Sequence, residues 1–252
     1  MDIVGFLNQK GGAGKTTSTA NFGAVLGKQG YRVLLLDLDP QAGLTKTLRI
    51  PTRWNLFESG ITPVETQLPN VQLVPGGPNL VKTEMAFTQQ EKYDLLRPLI
   101  STIRGYDFVL VDCPPNLYGL TGNALVAVDR ILLPFPLTPA VIYSMSDTFD
   151  LIHELREKGF PVTHRIDGLI TIYRKMAAGD KLVSLARKFI PNVLNTRIRQ
   201  SNHYVRAEAL GTAAALIAGN AGIPLVDHRN ALKEMGLLQT THAGAAIEVA
   251  AA

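Results

Sequence analysis

The chain reads Gln9-Lys10-Gly11-Gly12-Ala13-Gly14-Lys15-Thr16-Thr17 between an apolar run (3–7) and a segment with helical spacing (16–28). Glycine lacks the Cβ atom that keeps backbone N–H groups away from a polyphosphate, and the helix start adds free donors and a positive dipole end. In such a turn Lys15 reaches the β- and γ-phosphates and the Thr16 hydroxyl binds Mg²⁺. The sequence therefore predicts a phosphate-binding turn made by Gly11, Gly12, Ala13, Gly14, Lys15, Thr16 and Thr17.

The turn departs from the usual pattern G-x-x-x-x-G-K-[ST] at its first position, where Gln9 replaces glycine. The next residue, Lys10, is a second lysine in the same loop as Lys15. One triphosphate does not need both lysines from one loop. We therefore expect Lys10 to point elsewhere, for example to a nucleotide held by a neighbouring subunit.

Two carboxylates follow the second predicted strand, whose apolar run covers residues 33–36. Asp37 and Asp39 alternate along the chain and so lie on the same side, at the strand end where open α/β sheets bind ligands. One of them is expected to polarise the attacking water, while the other helps to hold the metal shell or a switch residue. The spacing leaves open which acid has which role.

A third apolar run, residues 108–111, ends at Asp112 and is followed by Cys113 and two prolines. Four apolar residues that lead into an acid form the Walker-B pattern, in which the carboxylate reaches Mg²⁺ directly or through water. The pattern gains weight because it is the third element in the expected order. We predict Thr16 and Asp112 as metal ligands, and Asp37 as a further candidate that acts through water.

The alternation of short apolar runs with helical segments predicts the fold class. Runs rich in β-formers are typical of parallel strands buried on both faces, and the segments between them are expected to cover the sheet. We predict a single α/β domain over residues 1–238, a mostly parallel twisted sheet flanked by helices, and a flexible Ala-rich tail over residues 239–252. The predicted strands cover residues 3–7, 33–36, 71–74, 108–111, 131–133 and 169–172, and the helices 16–28, 93–104, 141–158 and 181–189.

Composition excludes several classes of protein. The 252 residues carry 25 Lys and Arg against 21 Asp and Glu, a net charge of +4, and 46% are hydrophobic, which excludes disorder. A single cysteine, Cys113, excludes an intrachain disulfide and a zinc or iron–sulfur site built on cysteines of one chain. No stretch of 18 apolar residues occurs. We expect a soluble cytoplasmic protein.

Three segments together carry a family resemblance. Residues 10–16, 37–41 and 112–115 closely resemble the deviant Walker motifs of the ParA/MinD/Soj ATPases, particularly those of ParA partition proteins. The resemblance covers about residues 1–210 and continues in residues 121–125, 127–134 and 168–173, the last of which resembles the strand that leads to the adenine pocket.

The resemblance implies the fold of a deviant Walker A P-loop NTPase, ATP and Mg²⁺ as cofactors, and hydrolysis of ATP to ADP and phosphate. It implies that Lys10 crosses a dimer interface to the partner's phosphates, that Lys15 holds the phosphates within one chain, and that Thr16 binds Mg²⁺. Asp39 matches the acid that positions the hydrolytic water, and Asp112 matches the Walker-B acid. The resemblance thus names Lys10, Lys15 and Asp39 as catalytic residues.

The resemblance also implies partners. ParA proteins dimerise on ATP, bind double-stranded DNA nonspecifically, and are released when a ParB-type centromere-binding protein stimulates hydrolysis. By this resemblance we expect an ATP-dependent homodimer that associates with the nucleoid and not with a membrane. The physical basis is that ATP between two subunits adds contacts that exist only in the dimer.

A basic stretch supplies candidates for the DNA surface. Residues 165–206 contain nine Lys and Arg against two acids. Such a surface neutralises phosphates without reading bases, so its affinity falls with salt. The predicted DNA-binding residues are Arg197, Arg199 and Arg206, with Asn202 and Tyr204 beside them.

Two other functions stay open. A MinD-like membrane-associated positioning ATPase needs a basic amphipathic C-terminal helix, whereas residues 239–252 contain one histidine, one acid and no Lys or Arg. An ATP-binding scaffold with little turnover is the second alternative, and Asp39 and Asp112 argue against it. A slow ATPase activity that DNA or a partner raises would separate a partition ATPase from a scaffold.

Overall fold

An eight-stranded sheet forms the centre of the computed structural model, which describes residues 1–52 and 55–238. The strands are Asp2–Phe6 (β1), Val33–Asp37 (β2), Val64–Glu65 (β3), Val71–Val74 (β4), Phe108–Asp112 (β5), Arg130–Pro136 (β6), Ile166–Tyr173 (β7) and Asn192–Arg199 (β8). The helices are Lys15–Lys28 (α1), Gly43–Thr47 (α2), Leu56–Ser59 (α3), Leu80–Gln89 (α4), Leu96–Ser101 (α5), Gly119–Ala127 (α6), Pro139–Tyr143 (α7), Met145–Glu157 (α8), Gly179–Ala186 (α9), His203–Leu210 (α10), Ala214–Ile217 (α11) and Ile223–Glu234 (α12).

The strand order is β3-β4-β2-β5-β1-β6-β7-β8, and every neighbouring pair is parallel except β3 and β4. In register, Asp112 pairs with Phe6 on one side and with Asp37 on the other. The loop after β1 and the carboxylates that end β2 and β5 therefore meet at the carboxyl ends of the parallel strands. The predicted α/β class with a mostly parallel sheet is confirmed.

The central strands are buried on both faces, as their continuous apolar runs predict. All five residues of β2 and all five of β5 are buried. Leu34 and Leu36 belong to one apolar cluster, whereas Val33 and Leu35 belong to the other. Burial of such a side chain stabilises the folded state by roughly 1.5–3 kcal/mol, so these two clusters stabilise the strands that end at the site.

Some predicted elements differ from the structure. The predicted helix 141–158 is two helices, α7 and α8, which meet at Ser144. The predicted helix 93–104 is helical only in α5. Strand β8 is missing from the prediction because it lies at the sheet edge and mixes exposed polar residues with three buried apolar ones. The predicted tail, residues 239–252, lies outside the described residues, and so does the segment on which the membrane alternative depends.

Within the described ranges, none of the helices has both the length and the apolar character needed to cross a bilayer.

A buried histidine in α12 couples the fold to pH. The side chain of His228 is fully buried, and its ring packs edge-on against Phe22 with the centroids 5.7 Å apart. Its Nδ1 lies 2.7 Å from the Pro224 carbonyl oxygen, as expected for a neutral ring that donates from Nδ1. Burial lowers the pKa of His228 to about 4.

We therefore expect His228 to weaken the folded state in acid. Between about pH 6.5 and pH 4 the unfolded chain holds the proton and the folded chain does not, so His228 costs up to about 3 kcal/mol of unfolding free energy as the pH falls. Asp37 acts in the opposite sense, because burial raises its pKa to about 6. The comparison is therefore between the wild type and His228→Phe, which both keep Asp37.

The measurement is urea unfolding of both proteins at neutral pH and near pH 4. The wild type should lose about 3 kcal/mol more than His228→Phe over this interval. Equal losses in the two proteins would show that His228 does not cause the pH dependence.

Candidate functional site

The loop between β1 and α1 has the backbone shape of a phosphate cradle. Gly12 and Gly14 adopt φ values of 73° and 91°, in the left-handed region where a Cβ is strained. A Cβ on Gly14 would also lie 3.3 Å from Thr171 Cγ2. The Thr171 hydroxyl donates to the Ala13 carbonyl at 2.8 Å, so β7 braces the loop from the side. Of the predicted binding residues, Gly11, Gly12 and Thr17 are exposed, Gly14 and Thr16 are half-buried, and Ala13 and Lys15 are buried.

The two lysines of the loop lie in opposite environments. Lys15 is 7% exposed, and within residues 1–52 and 55–238 its Nζ makes one hydrogen bond, a long one of 3.5 Å to the Lys10 carbonyl oxygen. Burial lowers the pKa of Lys15, while the charges of Asp112 and Asp39 raise it. Lys10 itself is exposed. A polyphosphate in the cradle would therefore gain a desolvated amine from Lys15, whereas the Lys10 side chain lies at the surface.

Thr16 and Asp112 are adjacent, as their predicted role as ligands of one metal ion requires. The Thr16 hydroxyl donates to Asp112 Oδ2 at 2.7 Å. Asp112 is fully buried, and its Oδ1 has no hydrogen-bond partner among the described residues. Burial raises the pKa of Asp112 well above its ordinary value, and the nearby charge of Asp37 adds to the rise. A hydroxyl beside a carboxylate with an unused oxygen is a donor set suited to Mg²⁺.

The two acids after β2 differ in what they contact. Asp37 is fully buried, and its Oδ2 accepts from the backbone N–H of Thr45 at 2.8 Å and from its hydroxyl at 2.6 Å. Asp37 Oδ1 accepts from the Asp39 backbone N–H at 3.1 Å. Asp39 is half-buried, and its Oδ1 accepts from the Gln41 N–H at 2.8 Å, whereas its Oδ2 makes no hydrogen bond with the described residues. Burial also raises the pKa of Asp39. Asp37 therefore braces the loop, while Asp39 keeps an oxygen available.

A cavity of about 330 Å³ opens beside the cradle. Six residues form its far wall: Ile172, Ile198, Gln200, Ser201, Tyr204 and Val205. None of the six is predicted from sequence as a nucleotide-site residue, and Tyr204 is predicted at the DNA surface instead. Ile172 has φ 52°, which is uncommon for a β-branched residue. The segment 168–173 contained the one sequence signal for this wall, because it resembles the strand that leads to an adenine pocket. The rest comes from β8, α10 and the loop between them, which are far from the phosphate loop in sequence.

The three arginines predicted to contact DNA differ in their partners. Arg197 lies 4.7 Å from the centroid of the Tyr173 ring and donates to its hydroxyl at 2.7 Å. Arg199 forms an ion pair with the buried carboxylate of Asp227, with Nη2 and Oδ1 2.6 Å apart. Arg206 is exposed on α10, and its guanidinium makes no hydrogen bond or ion pair with the described residues. The DNA role of all three stays a prediction, and the guanidinium of Arg206 is the most available.

Comparisons with known proteins place this geometry in a family. A family model described as an AAA domain (AAA_31) matches residues 1–162. The chromosome-partitioning ATPase Soj of Thermus thermophilus is 30% identical over 224 residues, which are 84% of this chain and 86% of Soj.

Two examples represent the solved structures that are similar in fold. Cobyrinic acid a,c-diamide synthase from Mycobacterium smegmatis, with an ATP analogue and magnesium bound, has a TM-score of 0.77 and 26% identity over 91% of this chain and 92% of that chain. A variant of Cyanothece McdA in complex with ATP has a TM-score of 0.81 and 17% identity over 96% and 98% of the two chains, which supports the fold alone. The chain therefore belongs to the AAA domain family and is a P-loop ATPase of the ParA/MinD type.

Proposed function

We propose that the chain is a DNA-segregation ATPase. It binds ATP and Mg²⁺, dimerises, holds double-stranded DNA nonspecifically, and leaves the DNA when a ParB-type partner stimulates hydrolysis. The observation that carries the proposal is the contrast between the buried Lys15 and the exposed Lys10 in one phosphate cradle. The similarity to Soj, a chromosome-partitioning ATPase, supports the cellular role.

The residues of the cradle have separate tasks in this proposal. Lys15 holds the β- and γ-phosphates, and the Thr16 hydroxyl with the Asp112 carboxylate holds the metal. Bound Mg²⁺ neutralises charge on the phosphates during transfer. Asp39 orients the attacking water, and Asp37 fixes the loop that carries Asp39. Positioning and charge neutralisation are the main requirements of phosphoryl transfer, and these residues meet them.

Dimerisation gives the nucleotide its control over DNA binding. Lys10 reaches from the surface of one chain to the nucleotide of a second copy, so ATP adds contacts that exist only in the dimer. A dimer presents two basic surfaces at once, and the second contact is strengthened by effective concentration. Hydrolysis removes the γ-phosphate and weakens the dimer. DNA retention follows the same cycle of ATP binding and hydrolysis. Arg206 contacts the DNA phosphates, and the ATP-bound dimer is located at the nucleoid.

The test is sedimentation velocity and DNA retention with ATP, with ADP and without nucleotide, on the wild type and Lys10→Ala. We expect only the ATP-bound wild type to dimerise and to hold DNA, with retention that falls steeply with salt. Lys233→Ala, an exposed lysine at the end of α12, is the control and should behave as the wild type.

Two outcomes would contradict the proposal in different ways. If Lys10→Ala dimerises as well as the wild type, the cross-subunit role of Lys10 is wrong. If the wild type retains DNA equally with and without nucleotide, the nucleotide does not control DNA binding.

A further inference from the structure

The backbone at Lys10 is held from both sides by other parts of the protein. Asn8 is 5% exposed, and its Nδ2 donates to the Pro134 carbonyl of β6 at 2.8 Å. Its Oδ1 accepts from the Lys10 backbone N–H at 2.8 Å. The Lys10 carbonyl oxygen lies 3.5 Å from Lys15 Nζ. The backbone at Lys10 is thus attached to the buried core, although its side chain is exposed.

Gln9 attaches the same loop to a second place, the junction of two helices. Gln9 Nε2 donates to the Asp147 Oδ2 atom at 2.7 Å and also to the Ser144 carbonyl oxygen. Ser144 is the residue between α7 and α8, and Asp147 lies in the first turn of α8. Gln9 occupies the position where the usual phosphate loop has glycine, which has no side chain that could make either contact.

These attachments matter because a lysine side chain is long and flexible. Fixing such a side chain at an interface costs about 0.5–1.5 kcal/mol of conformational freedom. A loop whose backbone also moved would add to this cost, because each ordered backbone position costs about 1–2 kcal/mol. A loop that is fixed before association leaves only the side chain of Lys10 to be ordered.

We propose that Gln9 and Asp147 are positioning residues for Lys10: their hydrogen bond holds the start of the loop against the α7–α8 junction, so that Lys10 is directed to the nucleotide of a second copy. This inference rests on the proposed function. Lys15, Thr16 and Asp112 do not contact Gln9 or Asp147 in the described hydrogen bonds, so nucleotide binding within one chain does not depend on this attachment.

The principal test compares Asp147→Ala with Asp147→Asn. Asp147 is exposed, so both variants should fold, and circular dichroism checks this. We expect Asp147→Ala to weaken ATP-dependent dimerisation about tenfold, with ADP affinity unchanged. Asparagine keeps an oxygen that accepts from Gln9 Nε2, so Asp147→Asn should restore dimerisation. A role of the negative charge itself would not be rescued in this way.

Gln9→Ala removes the contacts with both Asp147 and Ser144, so its defect should be at least as large as that of Asp147→Ala. The double variant should dimerise no more weakly than Gln9→Ala alone, because Asp147→Ala then has no further contact with Gln9 to remove. Asp150→Ala is the matched control, since Asp150 is an exposed acid one turn further along α8. Sedimentation velocity with ATP measures dimerisation, and a fluorescent ADP analogue measures binding to the single chain.

The outcomes separate this inference from the proposed function. If Lys10→Ala abolishes dimerisation while Asp147→Ala and Gln9→Ala dimerise as the wild type, the positioning role is wrong and the proposed function stands. A tenfold loss of ADP affinity in Asp147→Ala would also overturn the inference, because the attachment would then serve the whole loop. If Lys10→Ala dimerises normally, both the proposed role of Lys10 and this inference fail.

Discussion

Lys15→Ala is expected to lower ATP turnover by about 10²–10³-fold, the loss typical when one preorganised charged donor is removed from a transition state. Lys15 is 7% exposed, so its amine acts on the phosphates with little screening by water. Alanine leaves the backbone N–H cradle in place, and some nucleotide affinity should remain. The measurement is steady-state release of phosphate, with nucleotide affinity determined separately.

Lys28→Ala is the control for this prediction, because Lys28 lies at the opposite end of α1 and its Nζ donates to Asn220 Oδ1 at 3.0 Å, away from the cradle. Its turnover should equal that of the wild type. If Lys15→Ala hydrolyses ATP at the wild-type rate, the cradle does not carry the chemistry. If the wild type shows no turnover even with DNA and a partner present, the scaffold with little turnover becomes the better description.

The local part of the site is predictable from sequence because it is encoded in short segments. A strand, a glycine turn and a helix follow one another directly, so the cradle around Gly14 and Lys15 is written in adjacent residues. The parallel sheet then brings Asp37 and Asp112 to the same edge, because parallel strands end together. The register Asp37 to Asp112 confirms this reasoning.

The distant part of the site is not predictable in the same way. Apart from Ile172, the far wall of the cavity comes from β8, α10 and the loop between them, and its position depends on how the chain returns after β7. The number of charged residues in a stretch also does not show which of them form ion pairs in the folded protein. Arg199 and Asp227 are 28 positions apart in the chain and form a bidentate pair only in the folded protein. The sequence therefore indicates a basic stretch without showing which of its arginines are available to DNA.

The different surroundings of Asp37 and Asp39 lead to the second large prediction. We expect Asp39→Asn to lower ATP turnover about 10²–10⁴-fold, because a group that orients or deprotonates the attacking water contributes that much. Asparagine keeps an oxygen for the Gln41 N–H, so the free energy of unfolding should change by less than about 0.5 kcal/mol. ATP-dependent dimerisation should persist and last longer, since hydrolysis no longer ends it.

Asp37→Asn is the matched variant, and it should act on stability. The Asp37 carboxylate accepts hydrogen bonds from the Thr45 N–H, the Thr45 hydroxyl and the Asp39 N–H. In asparagine an NH₂ group replaces one of the two oxygens, so at least one of these donors would face another donor. A buried donor left without a partner costs about 1–3 kcal/mol, so urea unfolding should show a loss of that size. Single-turnover hydrolysis and unfolding, measured on both variants, separate the two roles. If Asp39→Asn hydrolyses ATP normally while a stable Asp37→Asn does not, the two roles are reversed: Asp37, and not Asp39, orients the attacking water.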